Sequence, residues 1–316
     1  MPTKMILDCD TGIDDAMAIM YAALHPSIDL LAVGTVWGNV PVSMATRNTV
    51  HVLGLAGRTA IPVAQGAAGP LLGGPVEYAF AVHGDDGQGG AYDGTDHGPS
   101  VPISAARQIV ETVRANPHEV WLVPVGPLTN IALALALEPA LPRLVKGVSL
   151  MGGAALAPGN FSPVAEANIA HDPEAAAAVF RAPWPIVMAG LDVTMKILLT
   201  PAHRATLAAG GAAGAYLARV LGFYGDFYAA TAFDTWSAAI HDPIAVAAAA
   251  GTLGIRRAPT VRVEVDCTAG PSRGATVCDL RGRHPGTPAQ EGAHCTVLLD
   301  ADDTIASDIV ALIAAA

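Results

Sequence analysis

The chain has 316 residues, of which 52% are hydrophobic and 14% are charged. This composition supplies enough apolar surface for a large buried core and excludes an intrinsically disordered protein. Acidic residues outnumber basic residues by 28 to 17, and the resulting net charge of −11 disfavours binding to nucleic acid or to anionic membrane surfaces. We therefore expect a folded protein with neither nucleic acid nor membrane among its partners.

The cysteines and the first residues bear on the cellular compartment. The four cysteines include no Cys-x-x-Cys pair, so they predict buried thiols and neither a structural zinc site nor a disulfide framework. The apolar run in residues 1–7 is too short for a signal peptide. No later run reaches the length of a membrane span without glycine or proline. The sequence therefore predicts a soluble, cytoplasmic protein.

In chain order, short apolar runs alternate with helical patterns, which is typical of βα units around a parallel sheet. The runs predicted to be buried strands are Met5 to Leu7, Leu30 to Val36, Val120 to Val125, Val148 to Met151 and Ile186 to Leu191. The helices predicted to follow them are Ala16 to Leu24, Ala45 to Leu55, Asn130 to Leu137, Pro173 to Phe180 and Pro201 to Ala209. We predict an α/β fold, with one domain over residues 1–316 and a mostly parallel, doubly wound, Rossmann-like sheet.

Two regions depart from this alternation. Residues 66–100 are rich in glycine and proline and predict a long loop of the kind that usually has a function. The acidic residues in this loop include Asp85, Asp86, Asp93 and Asp96. After Gly251, three runs alternate like strands and predict an additional C-terminal antiparallel region. These runs are Thr260 to Cys267, Ala275 to Asp279 and Cys295 to Asp300. A final amphipathic helix is predicted from about Asp303.

The strongest local signal is an acidic turn after the first predicted strand. Residues 8–15 read Asp-Cys-Asp-Thr-Gly-Ile-Asp-Asp, which places four carboxylates within eight residues. In parallel sheets, this end of a strand is where ligands bind. Such acids repel one another unless a cation lies among them, and oxygen ligands favour a hard cation. The alternative is that Asp14 and Asp15 only favour the start of the following helix.

Two further clusters are rich in groups that bind ligands. The first is residues 159–173, with donors and acceptors at the close spacing that adjacent sugar hydroxyls require. Its polar side chains include Asn160, Glu166 and Asn168. Asn160 alone is also a common turn former. The second cluster reads Ile-His-Asp-Pro at residues 240–243, where Asp242 could be a helix cap and His241 a core imidazole.

All three clusters occur together and in this order in the nucleoside hydrolases, and the chain resembles that family, in particular its inosine-uridine preferring type. Residues 8–15 resemble the family pattern Asp-x-Asp-Pro-Gly-x-Asp-Asp, with Thr11 in place of the usual proline. Because proline fixes φ, Thr11 could loosen this turn without removing a carboxylate. Other matching pieces cover most of the chain, namely Gly38-Asn39, Val82 to Gly87, Gly126 to Asn130, Met151 to Gly153, Asn160 to Asn168, Asp192 to Thr194 and Arg273 to Val277.

The resemblance implies hydrolysis of ribonucleosides to ribose and free base, with calcium as the cofactor. Calcium would be held by Asp10, Asp15, Asp242 and the backbone carbonyl of Val125. Asp10 would also take a proton from a water whose acidity the ion raises. His241 would protonate the departing base, for which an ordinary imidazole pKa near 6.5 is suitable at neutral pH.

The resemblance also implies the substrate contacts. The residues that would hold the ribose hydroxyls are Asp14, Asn39, Glu166 and Asn168. Asn160 would lie near the 5′-hydroxyl and His83 near the base, while Tyr224 and Tyr228 lie in a segment that resembles the mobile region over the pocket. The family resemblance further suggests a homodimer or homotetramer. It leaves open whether purine or pyrimidine nucleosides are preferred.

Two alternative functions fit part of this pattern. Asp8 and Asp10 also resemble the nucleophile motif of haloacid-dehalogenase-type phosphatases, which need a downstream lysine. Neither Lys146 nor Lys196 lies in a fitting motif for that lysine. A non-catalytic nucleoside-binding protein would keep the pocket, but it would need neither the base Asp10 nor the acid His241. The pattern therefore favours the hydrolase.

Overall fold

The computed structural model describes residues 1–95, 97–98, 100–283 and 290–316, and Asp96 of the acidic loop lies outside these ranges. Its strands are β1 (Thr3–Cys9), β2 (Ile28–Thr35), β3 (Val63–Gln65), β4 (Trp121–Pro124), β5 (Gly147–Met151), β6 (Ile186–Ala189), β7 (Leu198–Leu199), β8 (Ala238–Ala239), β9 (Ile255–Arg257), β10 (Thr260–Val261), β11 (Val263–Val265), β12 (Thr276–Cys278), β13 (Cys295–Val297) and β14 (Asp300–Ala301).

The helices of the same ranges connect these strands. They are α1 (Ile13–Leu24), α2 (Val42–Leu55), α3 (Phe80–His83), α4 (Ala105–Ala115), α5 (Thr129–Leu137), α6 (Leu141–Leu144), α7 (Ala167–His171), α8 (Pro173–Arg181), α9 (Leu191–Thr194), α10 (Pro201–Ala208), α11 (Ala212–Thr231), α12 (Asp242–Ala250) and α13 (Thr304–Ala314). A 3₁₀ turn covers Leu280–Arg283.

The central sheet runs in the order β3-β2-β1-β4-β5-β6-β13-β10. Its neighbouring strands are parallel, except that β10 is antiparallel to β13. The strand order reverses direction between β1 and β4. Open α/β sheets bind ligands at such a switch point, beyond the carboxyl ends of the strands. The turns that follow β1 and β4 both begin at this position.

The sheet separates two hydrophobic cores. Along β1, Met5 and Leu7 pack into the core that contains residues of α1, α11, α12 and α13. Ile6, between them, packs into the other core with residues of α4, α5, α7 and α8. Because successive side chains of a strand point to opposite faces, helices cover both faces of the sheet, as the doubly wound prediction requires.

Most predicted elements are confirmed, with bounds shifted by a few residues. The predicted fifth strand is shorter than its apolar run, because β6 ends at Ala189 and Leu191 already starts α9. The predicted C-terminal antiparallel region is present as the pairs β10–β13 and β11–β12, while β13 also pairs in parallel with β6. The α/β class with a mostly parallel sheet is therefore confirmed.

Other features of the chain follow the predictions less closely. Residues 66–100 contain α3 and otherwise no helix or strand at their described positions. The four cysteines are free thiols, two of them buried and two partly exposed. Elements that had no prediction include β3, α4 and α11. Within the described ranges, no helix is both long and apolar enough to cross a membrane.

Candidate active site

The acidic turn connects β1 to α1 and is held by its own side chains. Asp15 accepts hydrogen bonds from the backbone N–H groups of Asp10, at 3.2 Å, and Gly12, at 2.8 Å. Asn39 reaches the same turn from the end of β2. Its side chain donates to Asp15 at 3.1 Å, and its backbone N–H donates to Asp10 at 2.6 Å. The turns after β1 and β2 therefore close on each other.

Thr11, which replaces the usual proline, ties this turn to α2. Its side chain is fully buried, and its hydroxyl lies 2.6 Å from the Thr49 hydroxyl. The Asn48 side chain donates to the Thr11 carbonyl at 3.1 Å. Two hydrogen bonds to α2 thus restrain a turn that lacks the fixed φ of proline.

A group of buried carboxylates lies at this turn. Asp14, Asp15 and Asp242 each offer an oxygen within 4.8 Å of the other two, so this cluster could hold a metal ion. Asp10 adjoins the cluster, and its Oδ1 is buried without a hydrogen-bond partner among the described residues. Burial raises the pKa of all four carboxyls. Burial and the charge of Asp15 bring the pKa of Asp14 to about 8.

The structure brings some of the predicted metal ligands together in one cluster. Asp15 and Asp242 are in the cluster, but the third clustered carboxylate is Asp14, which was predicted to contact substrate, and Asp10 lies beside them. The backbone carbonyl of Val125, after β4, accepts a hydrogen bond from the Asn168 side chain at 2.8 Å. A carbonyl oxygen has two lone pairs, so this bond does not prevent Val125 from binding a cation.

A cavity of about 270 Å³ lies beside this cluster. It contacts all seven residues that were predicted to bind substrate, together with His241, Val125 and Asp242. The seven are Asp14, Asn39, His83, Asn160, Glu166, Asn168 and Tyr228. Asp10 and Asp15 are almost completely buried, with 1% and 0% of their surface exposed. The pocket therefore brings together residues that are far apart in the sequence.

The segment of residues 159–171 forms one side of the pocket. Glu166 precedes α7 and accepts hydrogen bonds from the backbone N–H groups of Asn168 and Gly153, each at 2.9 Å. Burial raises the pKa of Glu166 to about 7. The Asn160 side chain accepts a hydrogen bond from the Ala167 backbone at 3.0 Å, so this residue also stabilises the turn, as its alternative interpretation suggested.

His241 and Tyr228 also line the pocket and contact each other. The Nε2 atom of His241 lies 2.6 Å from the Tyr228 hydroxyl, and its Nδ1 atom lies 2.8 Å from the Thr194 hydroxyl. Burial lowers the pKa of His241 to about 4. The expectation of an ordinary imidazole pKa near 6.5 is therefore wrong, because that value assumes a solvated ring.

His83 lies next to this pair at the end of α3. Its Nδ1 accepts a hydrogen bond from the backbone N–H of Ile13 at 3.0 Å, which places the proton of the neutral ring on Nε2. Its ring stacks on Tyr224, with centroids 5.6 Å apart. A Cβ on Gly12 would lie 2.4 Å from Nδ1 of His83. Glycine in the acidic turn therefore allows His83 to reach the start of α1.

Several residues that line the pocket or contact its lining were not predicted. Thr194, which contacts His241, is in the matched piece Asp192 to Thr194, but its sequence did not indicate a role. His171 and Phe161 line the cavity and lie inside the predicted sugar-binding run. Their positions in that run were the only feature of the sequence that could have indicated a place in the pocket. Glu77 and Tyr78 reach the cavity from the glycine-rich loop, which had been predicted to be functional.

The fold and the site together define a class of enzyme. A doubly wound sheet places buried carboxylates at its switch point, where a metal ion can bind. Beside them, carboxylates and amides suited to sugar hydroxyls face histidines and tyrosines suited to proton transfer. This combination suits an enzyme that binds a substrate rich in hydroxyl groups and moves protons beside a metal ion.

Comparison with known proteins identifies the family. A family model described as inosine-uridine preferring nucleoside hydrolase matches residues 5–306. The chain belongs to this family. It is similar to the inosine-uridine preferring nucleoside hydrolase of Leishmania major, with 40% identity over 288 residues that cover 90% of each protein. The protein is accordingly an enzyme that hydrolyses the N-glycosidic bond of ribonucleosides.

Two other relatives extend this comparison. The chain is 38% identical over 283 residues to the pyrimidine-specific ribonucleoside hydrolase RihB of Escherichia coli O157:H7, and the match covers 88% of each protein. A solved plant nucleoside hydrolase, PpNRh1, superposes with a TM-score of 0.92 at 32% identity and covers 100% of both chains. The resemblance to a phosphatase and the non-catalytic alternative are therefore set aside.

Proposed function

We propose that the enzyme hydrolyses ribonucleosides with a calcium ion that would be held by Asp10, Asp15, Asp242 and the carbonyl of Val125. The observation that carries this proposal is the buried group of carboxylates at the sheet's switch point. Burial raises the pKa values of these carboxyls, and neighbouring carboxylates raise those of Asp10, Asp14 and Asp242 further. A positive charge among them would offset both effects, and the all-oxygen donor set suits calcium. When bound, the ion would make a water in the pocket more acidic and more reactive toward the sugar.

Asp10 is proposed as the general base. Its Oδ2 accepts the Asn39 backbone hydrogen bond, whereas its Oδ1 has no partner among the described residues. Oδ1 is therefore the oxygen that no described protein group occupies, and it is the proposed acceptor of the proton from water. Burial, together with the charge of Asp15, holds the pKa of Asp10 well above its usual range. Asp10 consequently needs a neighbouring cation to be ionised and to act as a base at neutral pH.

Asp14, Asn39, Glu166 and Asn168 are proposed to hold the ribose hydroxyls, with Asn160 near the 5′-hydroxyl. All five line the cavity. Their carboxylates would also stabilise the positive charge that develops on the ribose as the glycosidic bond breaks. The same groups therefore serve binding and rate acceleration.

His241 and Tyr228 are proposed to deliver a proton to the departing base, with His83 beside it. The contact of 2.6 Å between Nε2 of His241 and the Tyr228 hydroxyl allows a proton to pass between them. Burial keeps the His241 imidazole neutral at pH 7, so the proton is held on neutral N–H or O–H groups. The Thr194 hydroxyl fixes the orientation of the ring from its other nitrogen.

The proposed contacts predict a strong preference for ribose over 2′-deoxyribose. A pocket built to pair hydroxyls leaves buried polar groups unpaired when one hydroxyl is missing, which can reduce kcat/KM by up to about 10⁴–10⁵. Release of reducing sugar should therefore be far faster from inosine than from 2′-deoxyinosine. Equal turnover of the two nucleosides would contradict the proposed ribose contacts.

A further inference from the structure

His171 lines the pocket but has none of the roles proposed above. It is the last residue of α7. Its ring packs against Trp37 and Phe161, with centroids 5.3 Å from each. Its Nδ1 is buried without a hydrogen-bond partner in the described part of the chain. A buried polar atom without a partner destabilises the protein unless a ligand or water pairs with the group, so this ring calls for an explanation.

The side chains around His171 hold its ring in place. Two aromatic rings contact it, and that of Trp37 is itself fixed by a hydrogen bond from its indole N–H to the Thr129 hydroxyl at 3.3 Å. Burial lowers the pKa of His171 to about 4. At neutral pH the ring therefore offers one N–H donor and one acceptor nitrogen, which matches the two capacities of a hydroxyl group.

The pocket extends across the carboxyl edge of the sheet. At one end, Tyr224 and Tyr228 of α11 belong to the core on one face. At the other end, Ile169 of α7 belongs to the core on the opposite face, and α7 also carries His171. The acidic turn follows β1, whose side chains contribute to both cores. Tyr224 and Tyr228 thus line the pocket from the side of one core, and His171 lines it from α7, which packs on the other core.

A ribonucleoside has a corresponding two-ended shape. Its base is attached at C1′ and its hydroxymethyl group at C4′, on either side of the ring oxygen, while the 2′- and 3′-hydroxyls lie along the remaining edge. The proposed function places the base toward Tyr228 and His241 and the two ring hydroxyls toward the carboxylates. The 5′-hydroxyl then projects toward the end that holds Asn160 and His171.

We propose that His171 is a specificity-determining residue that pairs with the 5′-hydroxyl of the ribose. The enzyme accordingly selects ribonucleosides with a free 5′-hydroxyl over 5′-deoxyribonucleosides. This inference rests on the proposed function, because it uses the proposed positions of the base and of the ring hydroxyls. Trp37 and Phe161 hold the imidazole in place before the substrate enters.

The test compares inosine with 5′-deoxyinosine in the wild type, in His171→Leu and in His171→Gln. Leu removes the polar atoms at similar volume, whereas Gln keeps a donor and an acceptor. We expect His171→Leu to lower kcat/KM for inosine about 10- to 100-fold and that for 5′-deoxyinosine less than about 3-fold. His171→Gln should recover part of the preference. The matched control His203→Leu, on a partly exposed histidine of α10 that does not line the pocket, should change neither value.

One result would overturn the role of His171. It is a preference ratio in His171→Leu within about twofold of the wild type, because a purely structural role lowers activity on both substrates by the same factor. If His171→Leu does not fold, inhibition by ribose and by 5-deoxyribose is compared in wild type and His171→Ala, which removes both ring nitrogens. Ribose should lose its advantage in the variant, and an unchanged ratio overturns the proposal.

The same experiment separates this inference from the function on which it rests. A wild-type enzyme that releases no ribose from inosine or uridine contradicts the proposed function itself. A wild-type enzyme that hydrolyses inosine, with an unchanged ratio in both His171 variants, contradicts only the role of His171.

Discussion

Asp15 shows how one side chain can serve both interpretations of the acidic turn. It accepts backbone hydrogen bonds from Asp10 and Gly12 and so stabilises the start of α1, as a helix-capping residue does. It also offers an oxygen to the cluster with Asp14 and Asp242. A carboxylate has about four acceptor positions, so capping does not exclude metal binding. The two interpretations of this residue are compatible.

His241 and Tyr228 support a prediction about leaving groups. Replacing His241 by Ala should lower kcat for inosine by roughly 10²–10⁴, because the departing base loses its proton donor. The loss on p-nitrophenyl riboside should be under about 10-fold, because that leaving group departs without protonation. Tyr228→Phe removes the hydroxyl 2.6 Å from His241 and should give a smaller loss with the same selectivity. The measurement is kcat for both substrates, and equal losses on the two would remove this pair from the mechanism.

At the scale of elements, Asp172 joins three parts of the fold. It begins α8 by accepting a hydrogen bond from the Ala175 backbone at 3.1 Å. Its other carboxylate oxygen accepts from the Thr129 hydroxyl at the start of α5 and from the Leu71 backbone in the long loop, each at 2.7 Å. This buried carboxylate therefore holds α8, α5 and the loop together beside the pocket.

Replacing Asp172 by Ala should lower the free energy of unfolding by about 2–4 kcal/mol, because a helix cap is lost and buried donors are left unpaired. Urea denaturation measures this change. The matched control is Asp303→Ala, at the start of α13, where the side chain makes no capping hydrogen bond. That substitution should change stability by less than about 0.5 kcal/mol. Similar effects at both positions would contradict the role assigned to Asp172.

The elements also show why some structure could be predicted and some could not. Buried strands such as β1 and β5 are apolar runs between turn residues, so their local sequences were sufficient to predict them. Helix α11 contains Gly222 and Gly225, which normally argue against a helix interior. The structure explains Gly225, because a Cβ there would overlap the Trp236 ring, whereas a Cβ on Gly222 would meet only the far end of the Arg204 side chain.

In the candidate site, too, some features could be predicted from local sequence and others could not. Asp10, Glu166 and their neighbours lie in local motifs that resemble a family, so they could be predicted by position. The contact of Thr194 with His241 depends on how α9 and α12 approach each other, which no local pattern encodes. The lowered pKa of His241 likewise depends on burial by the whole fold. Tertiary contacts, rather than unusual residues, account for what the sequence could not predict.

At the scale of the whole molecule, the buried acids should make stability depend on pH. Burial raises the pKa of Asp14 to about 8 and those of Asp8 and Glu166 to about 7. A group whose pKa is raised on folding stabilises the protein at low pH, and this contribution is lost as the pH rises through the folded value. The buried histidines His83 and His241 have lowered pKa values, so their contribution changes mainly below pH 6.5.

We therefore predict that, with a chelator present, Tm falls as the pH rises from about 6.5 to 8.5. Saturating calcium should largely remove this dependence, because the cation favours the ionised carboxylates. Thermal unfolding followed by circular dichroism, with and without calcium, makes the comparison. Identical pH dependence in both conditions would show that the buried acids do not bind the ion.

The central claim is that the enzyme hydrolyses ribonucleosides only when its carboxylate cluster holds a divalent cation. The most direct measurement is the release of reducing sugar from inosine by the wild-type enzyme after exhaustive chelation, and again after calcium is restored. The proposed mechanism predicts that chelation abolishes activity and that calcium recovers it. Asp10→Asn should stay inactive in both conditions. A rate that is unchanged by exhaustive chelation would contradict the claim.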